Sequence, residues 1–245
     1  LYNMHLDVLF NPAGLTEAEV RDKAVIVLEV LRTGTSIVTA LHNGAKTVVP
    51  APTLGDAARM AANLDPKVFV LGGEKNGQPI NGYHLGNSPL EYTSEAVSNR
   101  TVIMHTSNLT GAISVARGAA ALVVGCFLNI TRLTNFVLQS KQDVLVVCGG
   151  HKNSAALGDA MCVGQMVDLL LNVHKANISL SDAAVIAFST YLQNKEQLVS
   201  CLKDGVQGKA LSAAGLDQDV AYSCQVDYSN ILPVFNPSNL SINAS

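Results

Sequence analysis

Short runs of β-branched apolar residues alternate with helical patterns along this chain, and that alternation constrains the fold more than any other feature. The run at 24–30, Ala-Val-Ile-Val-Leu-Glu-Val, is nearly continuously apolar, as expected for a strand covered on both faces of a sheet. Similar runs recur at 46–50, 67–71, 101–106 and 143–147. The pattern predicts an α/β fold, a three-layer α/β/α arrangement with a parallel or mostly parallel sheet.

The organisation of the chain is predicted to be simple. We expect a single domain over residues 1–235 and a loose polar tail over residues 236–245. Thr35 and Thr110 each lie fifteen residues before the end of the next strand, and each precedes a helix that leads into a Val-Val strand. Internal duplication of a strand-helix-strand unit and convergence of two ordinary units both explain this echo, and the choice between them stays open.

Composition excludes several classes of partner. The 245 residues are 48% hydrophobic and 14% charged, which predicts a broad apolar core. A formal net charge of -3 provides no basic surface for nucleic acid or for an anionic membrane. No signal-peptide pattern opens the chain, and five scattered cysteines are typical of a reducing compartment, so we expect a cytoplasmic protein. Its assembly state is left open, with a homo-oligomer as one alternative.

The stretch 68–92 is predicted to carry part of a site. Its apolar run ends in Gly-Gly and then Glu74, and ligands of open α/β sheets bind beyond the carboxyl ends of strands. A long loop then closes on Asn87 and Ser88, which are suited to cap a helix that Pro89 begins. This arrangement predicts an anion cradle. The alternative is a long surface loop followed by an ordinary capped helix.

Polar residues also follow the other strands, and parallel strand ends meet at one edge of a sheet. The carboxylates of Glu29, Glu74 and Asp159 are hard ligands suited to Mg²⁺, and we predict them as metal-binding and catalytic residues. Arginine and helix N-termini bind phosphate or sulfonate groups, so metal-assisted attack on a phosphate ester is the favoured chemistry. The predicted substrate-binding residues are Arg32, Thr35, Asn87, Ser88, Asn108, Thr110, Gly149 and Gly150.

Each of these features has a structural alternative. Glu29 and Arg32 are also suited to a simple ion pair, Thr35 and Thr110 to helix capping, and the glycines to turns. Glycine-rich turns between strand and helix also suit a dinucleotide, but neither nucleotide-binding fingerprint is present.

With these residues identified, the chain resembles the 2-phosphosulfolactate phosphatase family, Mg²⁺-dependent enzymes of coenzyme M biosynthesis. The likeness extends from about Leu6 to Pro233. It rests on Val-Leu-Arg-Thr-Gly-Thr-Ser (30–36), Gly-Gly-Glu-Lys-Asn-Gly (72–77), Gly-Asn-Ser-Pro-Leu-Glu (86–91), Thr-Ser-Asn-Leu-Thr (106–110) and the Cys-Gly-Gly segment before Asp159. The resemblance implies a three-layer α/β/α fold. It also implies hydrolysis of (R)-2-phospho-3-sulfolactate, a small phosphorylated and sulfonated acid, to sulfolactate and phosphate with Mg²⁺.

Departures from the family pattern fall at motif positions. The pattern has aspartate at Glu29 and at His84, a hydroxyl residue at Gly34, glycine at Leu109, and an acid at Gly158. Fewer carboxylates weaken the binding of a hard cation, and Leu109 is expected to restrict close approach of a ligand to the backbone. The alternative function is therefore a diverged member with an altered substrate or weak activity, which binds a small organic anion or serves as an assembly subunit.

Overall fold

The computed structural model describes residues 4–245, so the first three residues of the predicted domain lie outside the described part. None of the helices within that range has the length and apolarity to cross a membrane. The strands are β1 (Met4–Leu9), β2 (Ala24–Leu28), β3 (Thr47–Pro50), β4 (Phe69–Lys75), β5 (Gln78–Pro79), β6 (Thr101–His105), β7 (Ala121–Gly125), β8 (Val144–Cys148), β9 (Ile178–Leu180), β10 (Pro233–Asn236) and β11 (Ser241–Ala244). The helices are α1 (Glu17–Val20), α2 (Thr33–His42), α3 (Leu54–Ala62), α4 (Ser94–Val97), α5 (Leu109–Ala116), α6 (Ile130–Gln139), α7 (Leu157–Asp168), α8 (Asp182–Asn194), α9 (Leu198–Asp204), α10 (Val206–Ala213) and α11 (Asp217–Ser223).

Local sequence signals account for many of these boundaries. β2 is buried at all five positions, as its uninterrupted apolar run predicts. α3 begins at Leu54 because Thr53 and Asp56 form a reciprocal capping box at its start. β4 runs further than predicted, to Lys75, because β5 pairs with its last two residues in an antiparallel hairpin.

One sheet of eleven strands forms the centre of the described residues, in the order β5-β4-β6-β3-β11-β10-β7-β2-β8-β1-β9. Two parallel blocks make up most of it: β4, β6 and β3 on one side, and β7, β2, β8, β1 and β9 on the other. Helices cover both faces, with α2 and α5 packed on one face and α6, α7 and α8 on the other. The predicted three-layer α/β/α fold with a mostly parallel sheet is therefore confirmed.

The prediction of a loose tail after residue 235 is wrong. β10 and β11 form an antiparallel hairpin that lies between the two parallel blocks. β10 pairs with β7 and β11 pairs with β3, both antiparallel, and Ile242 of β11 is completely buried in the core. The segment that follows residue 235 therefore joins the two halves of the sheet.

This hairpin reverses the direction of one block relative to the other, since three successive pairings from β7 to β3 are antiparallel. The prediction that all strand ends lie at one sheet edge is therefore wrong for β3, β4 and β6. The charge of Glu74 nevertheless acts on Glu29. Asn87, in the long loop after β5, also contacts Thr33 of α2.

The two strand-helix-strand units around Thr35 and Thr110 pair with each other in the sheet. The first consists of β2, α2 and β3, and the second of β6, α5 and β7. Each unit crosses from one block to the other, and the second strand of each lies parallel to the first strand of its counterpart. This arrangement is compatible with duplication and with convergence of two ordinary units, so both alternatives stand.

Candidate active site

Glu29 is the central carboxylate of the site and follows directly after β2. Its Oε1 accepts hydrogen bonds from the Arg32 amide at 3.2 Å and from the Thr33 hydroxyl at 3.0 Å. Its Oε2 is buried and has no donor among residues 4–245. Burial and the charge of Asp159 together raise the pKa of Glu29 to about 8, although the hydrogen bonds from Thr33 lower it. An ionised Glu29 is thus destabilised in the protein without a bound cation.

Asp159 lies in the first turn of α7 and connects two strand ends. Its Oδ1 accepts a hydrogen bond from the Val30 amide at 2.9 Å, and its Oδ2 accepts one from the Gly150 amide at 3.0 Å. Burial raises the pKa of Asp159 to about 7, although these two hydrogen bonds lower it. The residue fixes the loop after β2 against the loop after β8, and so places Glu29 beside Gly149.

Arg32 is held by a carboxylate from the far end of the chain. Its Nη1 donates to Asp219 Oδ2 at 2.7 Å, and only 9% of the Arg32 side chain and 2% of the Asp219 side chain are exposed. The other Asp219 oxygen accepts from the Ser88 hydroxyl at 2.7 Å. Asp219 is the single side-chain partner of Arg32 within the described residues, so its remaining N–H groups are available to an anion.

A second residue that the sequence analysis did not identify is Gln207 of α10. Its Nε2 donates to the Leu31 carbonyl at 3.0 Å and to the Gly150 carbonyl at 3.4 Å. Gln207 also lines a cavity of about 480 Å³ whose rim includes His151 and Lys152. The helices α10 and α11 therefore close over the loops that carry Glu29 and Arg32.

Glu74 lies near the end of β4, just past the last residue of β4 that pairs with β6. Its Oε1 accepts from the Ser107 amide at 2.6 Å, and its Oε2 accepts from the Gly77 amide at 2.6 Å and from the Ser107 hydroxyl at 3.2 Å. Both oxygens are thus engaged in fixing the turn after β6. The charge of Glu74 is also among the causes that raise the pKa of Glu29, so the two carboxylates share one electrostatic environment.

Several predicted anion-binding groups already donate to other atoms. The Thr35 hydroxyl donates to the Val30 carbonyl, and the Thr110 hydroxyl donates to the Thr106 carbonyl, both at 2.8 Å. A role for Thr35 and Thr110 in binding phosphate therefore stays a prediction for their backbone amides, at the starts of α2 and α5.

The amides of Gly149 and Gly150 are engaged in the same way. The Gly149 amide donates to the Leu28 carbonyl at 2.7 Å, and the Gly150 amide donates to Asp159. Half-buried Asn108 precedes α5, and its side chain does not cap that helix. The two glycines therefore contribute space to the site, and their predicted substrate contacts, like that of Asn108, stay predictions.

The prediction that Asn87 and Ser88 cap a helix is wrong. Pro89 does begin a short 3₁₀ helix that ends at Glu91, but neither preceding side chain caps it. Asn87 Nδ2 donates to the Thr33 hydroxyl instead, and Ser88 contacts Asp219. Both side chains therefore face the loops of Glu29 and Arg32.

The structure shows the surroundings of three departures from the family pattern. A Cβ at position 34 would collide with the carbonyl oxygens of Glu29 and Gly125, so this backbone requires the glycine present there. Leu109 is fully buried in the core between α5 and the sheet, and its expected effect on close approach of a ligand to the backbone stays a prediction. His84 is exposed, and its Nδ1 accepts from the Leu71 amide at 2.9 Å, which ties it to the edge of the sheet.

The available oxygens suit a metal ion that keeps most of its bound waters, and they do not suit one that is coordinated by protein side chains alone. Across the described range, no group of three or more His, Cys, Asp or Glu side chains is arranged to hold a metal ion. The oxygens of Glu74 and Asp159 already accept backbone N–H groups, whereas Glu29 Oε2 has no partner in residues 4–245. Magnesium usually keeps several waters and takes one or two carboxylates together with a substrate phosphate. One oxygen of Glu29 matches that requirement.

The space that Gly149 leaves beside Glu29 leads to a testable expectation. A Cβ at position 149 would overlap the Glu29 carboxylate, so Gly149→Ala should displace it, abolish activity, and cost about 1–3 kcal/mol of stability. Phosphate release and urea unfolding measure the two effects. Gly111→Ala is the matched control, because its added methyl meets nothing and alanine favours a helix by up to about 1 kcal/mol. Normal activity of Gly149→Ala would contradict this placement of Glu29.

Comparison with known proteins identifies the family of this chain. The model of the family described as 2-phosphosulpholactate phosphatase matches residues 9–238. A relative from Clostridium novyi (strain NT), named "Probable 2-phosphosulfolactate phosphatase", is 33% identical over 95% of this chain and 97% of its own. Relatives with the same name in Clostridium tetani (31% identical, over 95% and 97%) and Caldanaerobacter subterraneus (30%, over 90% of each chain) also match. The chain therefore belongs to the 2-phosphosulpholactate phosphatase family, whose members are hydrolases of phosphoric monoesters.

Proposed function

We propose that this chain is a Mg²⁺-dependent phosphatase that hydrolyses (R)-2-phospho-3-sulfolactate to sulfolactate and phosphate, the reaction type of coenzyme M biosynthesis. The observation that carries the proposal is the pairing of two groups in one buried loop. Glu29 offers an oxygen to which no group in residues 4–245 donates, and Arg32 offers guanidinium N–H groups. Family membership supports the same chemistry.

Arg32 is the residue best suited to receive the doubly anionic substrate. Asp219 fixes the guanidinium from one side, so its remaining donors keep one orientation when an anion arrives. A planar guanidinium binds a phosphate or sulfonate through two parallel hydrogen bonds, which positions the substrate as well as attracting it. The N-terminus of α2, which begins directly after Arg32, adds partial positive charge to the same region.

Glu29 is the residue proposed to hold the metal ion. A bound Mg²⁺ would offset negative charge on the phosphate group and lower the pKa of bound water. Asp159 braces the Glu29 loop, and Glu74 braces the turn after β6, so both carboxylates keep their neighbours in place. Glu29 is accordingly the carboxylate on which metal affinity should depend.

The direct test uses purified protein and racemic phosphosulfolactate, with 2-phospholactate as a control substrate that lacks the sulfonate. Phosphate release should require Mg²⁺, stop in EDTA and return when Mg²⁺ is restored. Release that EDTA does not affect would contradict the metal requirement. No release at any Mg²⁺ concentration, together with thermal stabilisation by phosphate alone, would favour the anion-binding alternative.

A further inference from the structure

Asn87 is held once through its backbone and once through its side chain, and only 5% of the residue is exposed. Its backbone carbonyl accepts from the Ser36 hydroxyl at 2.9 Å, and its Nδ2 donates to the Thr33 hydroxyl at 3.2 Å. Both partners lie in the first turn of α2. Asn87 is thus tied to the same turn that holds Oε1 of Glu29.

The hydrogen-bond chemistry of Thr33 fixes which end of the amide faces it. The single hydroxyl proton of Thr33 is donated to Glu29 Oε1, at 3.0 Å. That oxygen also accepts from the backbone amides of Arg32 and Thr33, so it acts as an acceptor throughout. The Thr33 oxygen must then accept from Asn87, which directs Nδ2 toward it and Oδ1 away from it.

Two buried oxygens are left at the ends of this network. Neither Oδ1 of Asn87 nor Oε2 of Glu29 receives a hydrogen bond from any residue between 4 and 245. An unsatisfied buried acceptor costs about 1–3 kcal/mol. The lone pairs of these oxygens need a partner, which is either a cation or a hydrogen-bond donor.

The proposed substrate is a poor partner for Asn87 Oδ1 and for the ionised carboxylate of Glu29. (R)-2-phospho-3-sulfolactate presents carboxylate, sulfonate and phosphate oxygens, and its hydroxyl is esterified, so it has almost no donor at neutral pH. The negatively charged oxygens of the substrate would therefore lie against the lone pairs of Asn87 Oδ1. A divalent cation, by contrast, prefers carboxylate and amide oxygens.

We propose that Asn87 Oδ1 is a ligand of the same divalent cation that Glu29 Oε2 holds, and that Asn87 does not contact the substrate anion. This inference rests on the proposed function. It reassigns Asn87 from the predicted substrate-binding set to the metal site, and it pairs one charged ligand with one neutral ligand.

The test measures binding of Mn²⁺ alone by electron paramagnetic resonance, with Mg²⁺ as competitor and no substrate present. Asn87→Ala should weaken Mn²⁺ binding about tenfold or more. Mutation of a residue that only hydrogen-bonds to a metal ligand already lowers metal affinity by that much. Asn87→Asp keeps the shape and adds charge, so it should bind Mn²⁺ at least as tightly as the wild type. It should also show a larger Mn²⁺-induced rise in unfolding temperature.

The control is Asn194→Ala, a half-buried asparagine at the end of α8 and outside the site, which should bind Mn²⁺ like the wild type. Unchanged Mn²⁺ affinity in both Asn87 variants, with loss in Glu29→Gln, would overturn this inference and leave the proposed function standing. A wild-type protein that binds no Mn²⁺ would overturn the metal requirement itself. Weaker binding in Asn87→Asp than in Asn87→Ala would also contradict a ligand role.

Discussion

Replacing Glu29 by glutamine is expected to lower Mg²⁺-dependent phosphate release by at least about a hundredfold, because it removes the proposed charged ligand. In EDTA the same substitution should flatten the dependence of stability on pH. Burial raises the pKa of Glu29 from 4.5 to about 8 in the native protein, so the native state keeps a proton that the unfolded state loses between these values. The free energy of unfolding therefore falls as pH rises through this window. Thermal unfolding over that range measures the slope.

Glutamine cannot ionise, so the variant should be more stable than the wild type near pH 8 in EDTA. A smaller slope should remain, because burial also raises the pKa of Asp159 to about 7. The matched control is Glu95→Gln, a change at an exposed carboxylate outside the site, which should alter neither activity nor slope. An unchanged slope in Glu29→Gln, or wild-type phosphate release, would remove Glu29 from its proposed position.

Asp219→Ala is expected to destabilise the protein by about 3–5 kcal/mol, because it leaves the buried guanidinium of Arg32 without its counter-charge. The change also removes the acceptor of the Ser88 hydroxyl. The midpoint of urea unfolding measures this loss. At permissive temperature the variant should also lose substrate affinity, since Arg32 no longer has a fixed orientation.

The same helix provides the control. Asp217 lies two residues earlier in α11, and its side chain is 52% exposed beside Lys203 at 3.9 Å. Exposed ion pairs contribute about 0–1 kcal/mol, so Asp217→Ala should cost about 1 kcal/mol or less. Equal effects of the two substitutions would show that Arg32 and Asp219 do not form the buried pair described above.

Sequence reasoning predicted the loops that follow β2 and β8 because the signal there is local. Each loop follows an uninterrupted apolar strand, and Glu29, Arg32, Gly149 and Gly150 stand in the few residues after it. Asp219 was missed for the opposite reason. Its contact with Arg32 spans 187 positions, and nothing in the sequence of α11 separates it from exposed Asp217. Which of the two aspartates is buried depends on how the helix packs against the rest of the protein.

The fold shows the same division between local and distant information. The capping box at Thr53 fixes the start of α3 from adjacent residues, so that boundary is encoded locally in the sequence. β11 has four residues and one fully buried apolar side chain, Ile242, which is too short a pattern to distinguish a strand from a loose segment. Its pairing with β3 makes it a strand, and that pairing also reverses one half of the sheet.

The hairpin of β10 and β11 has a consequence for biosynthesis. Every strand followed by a proposed functional group precedes it in the chain, yet the two parallel blocks share no backbone ladder in the described sheet until it is inserted. A nascent polypeptide can thus contain these functional groups while the two parallel blocks of the sheet are not yet joined. Completion of the hydrolase waits for a segment that supplies none of its reactive atoms.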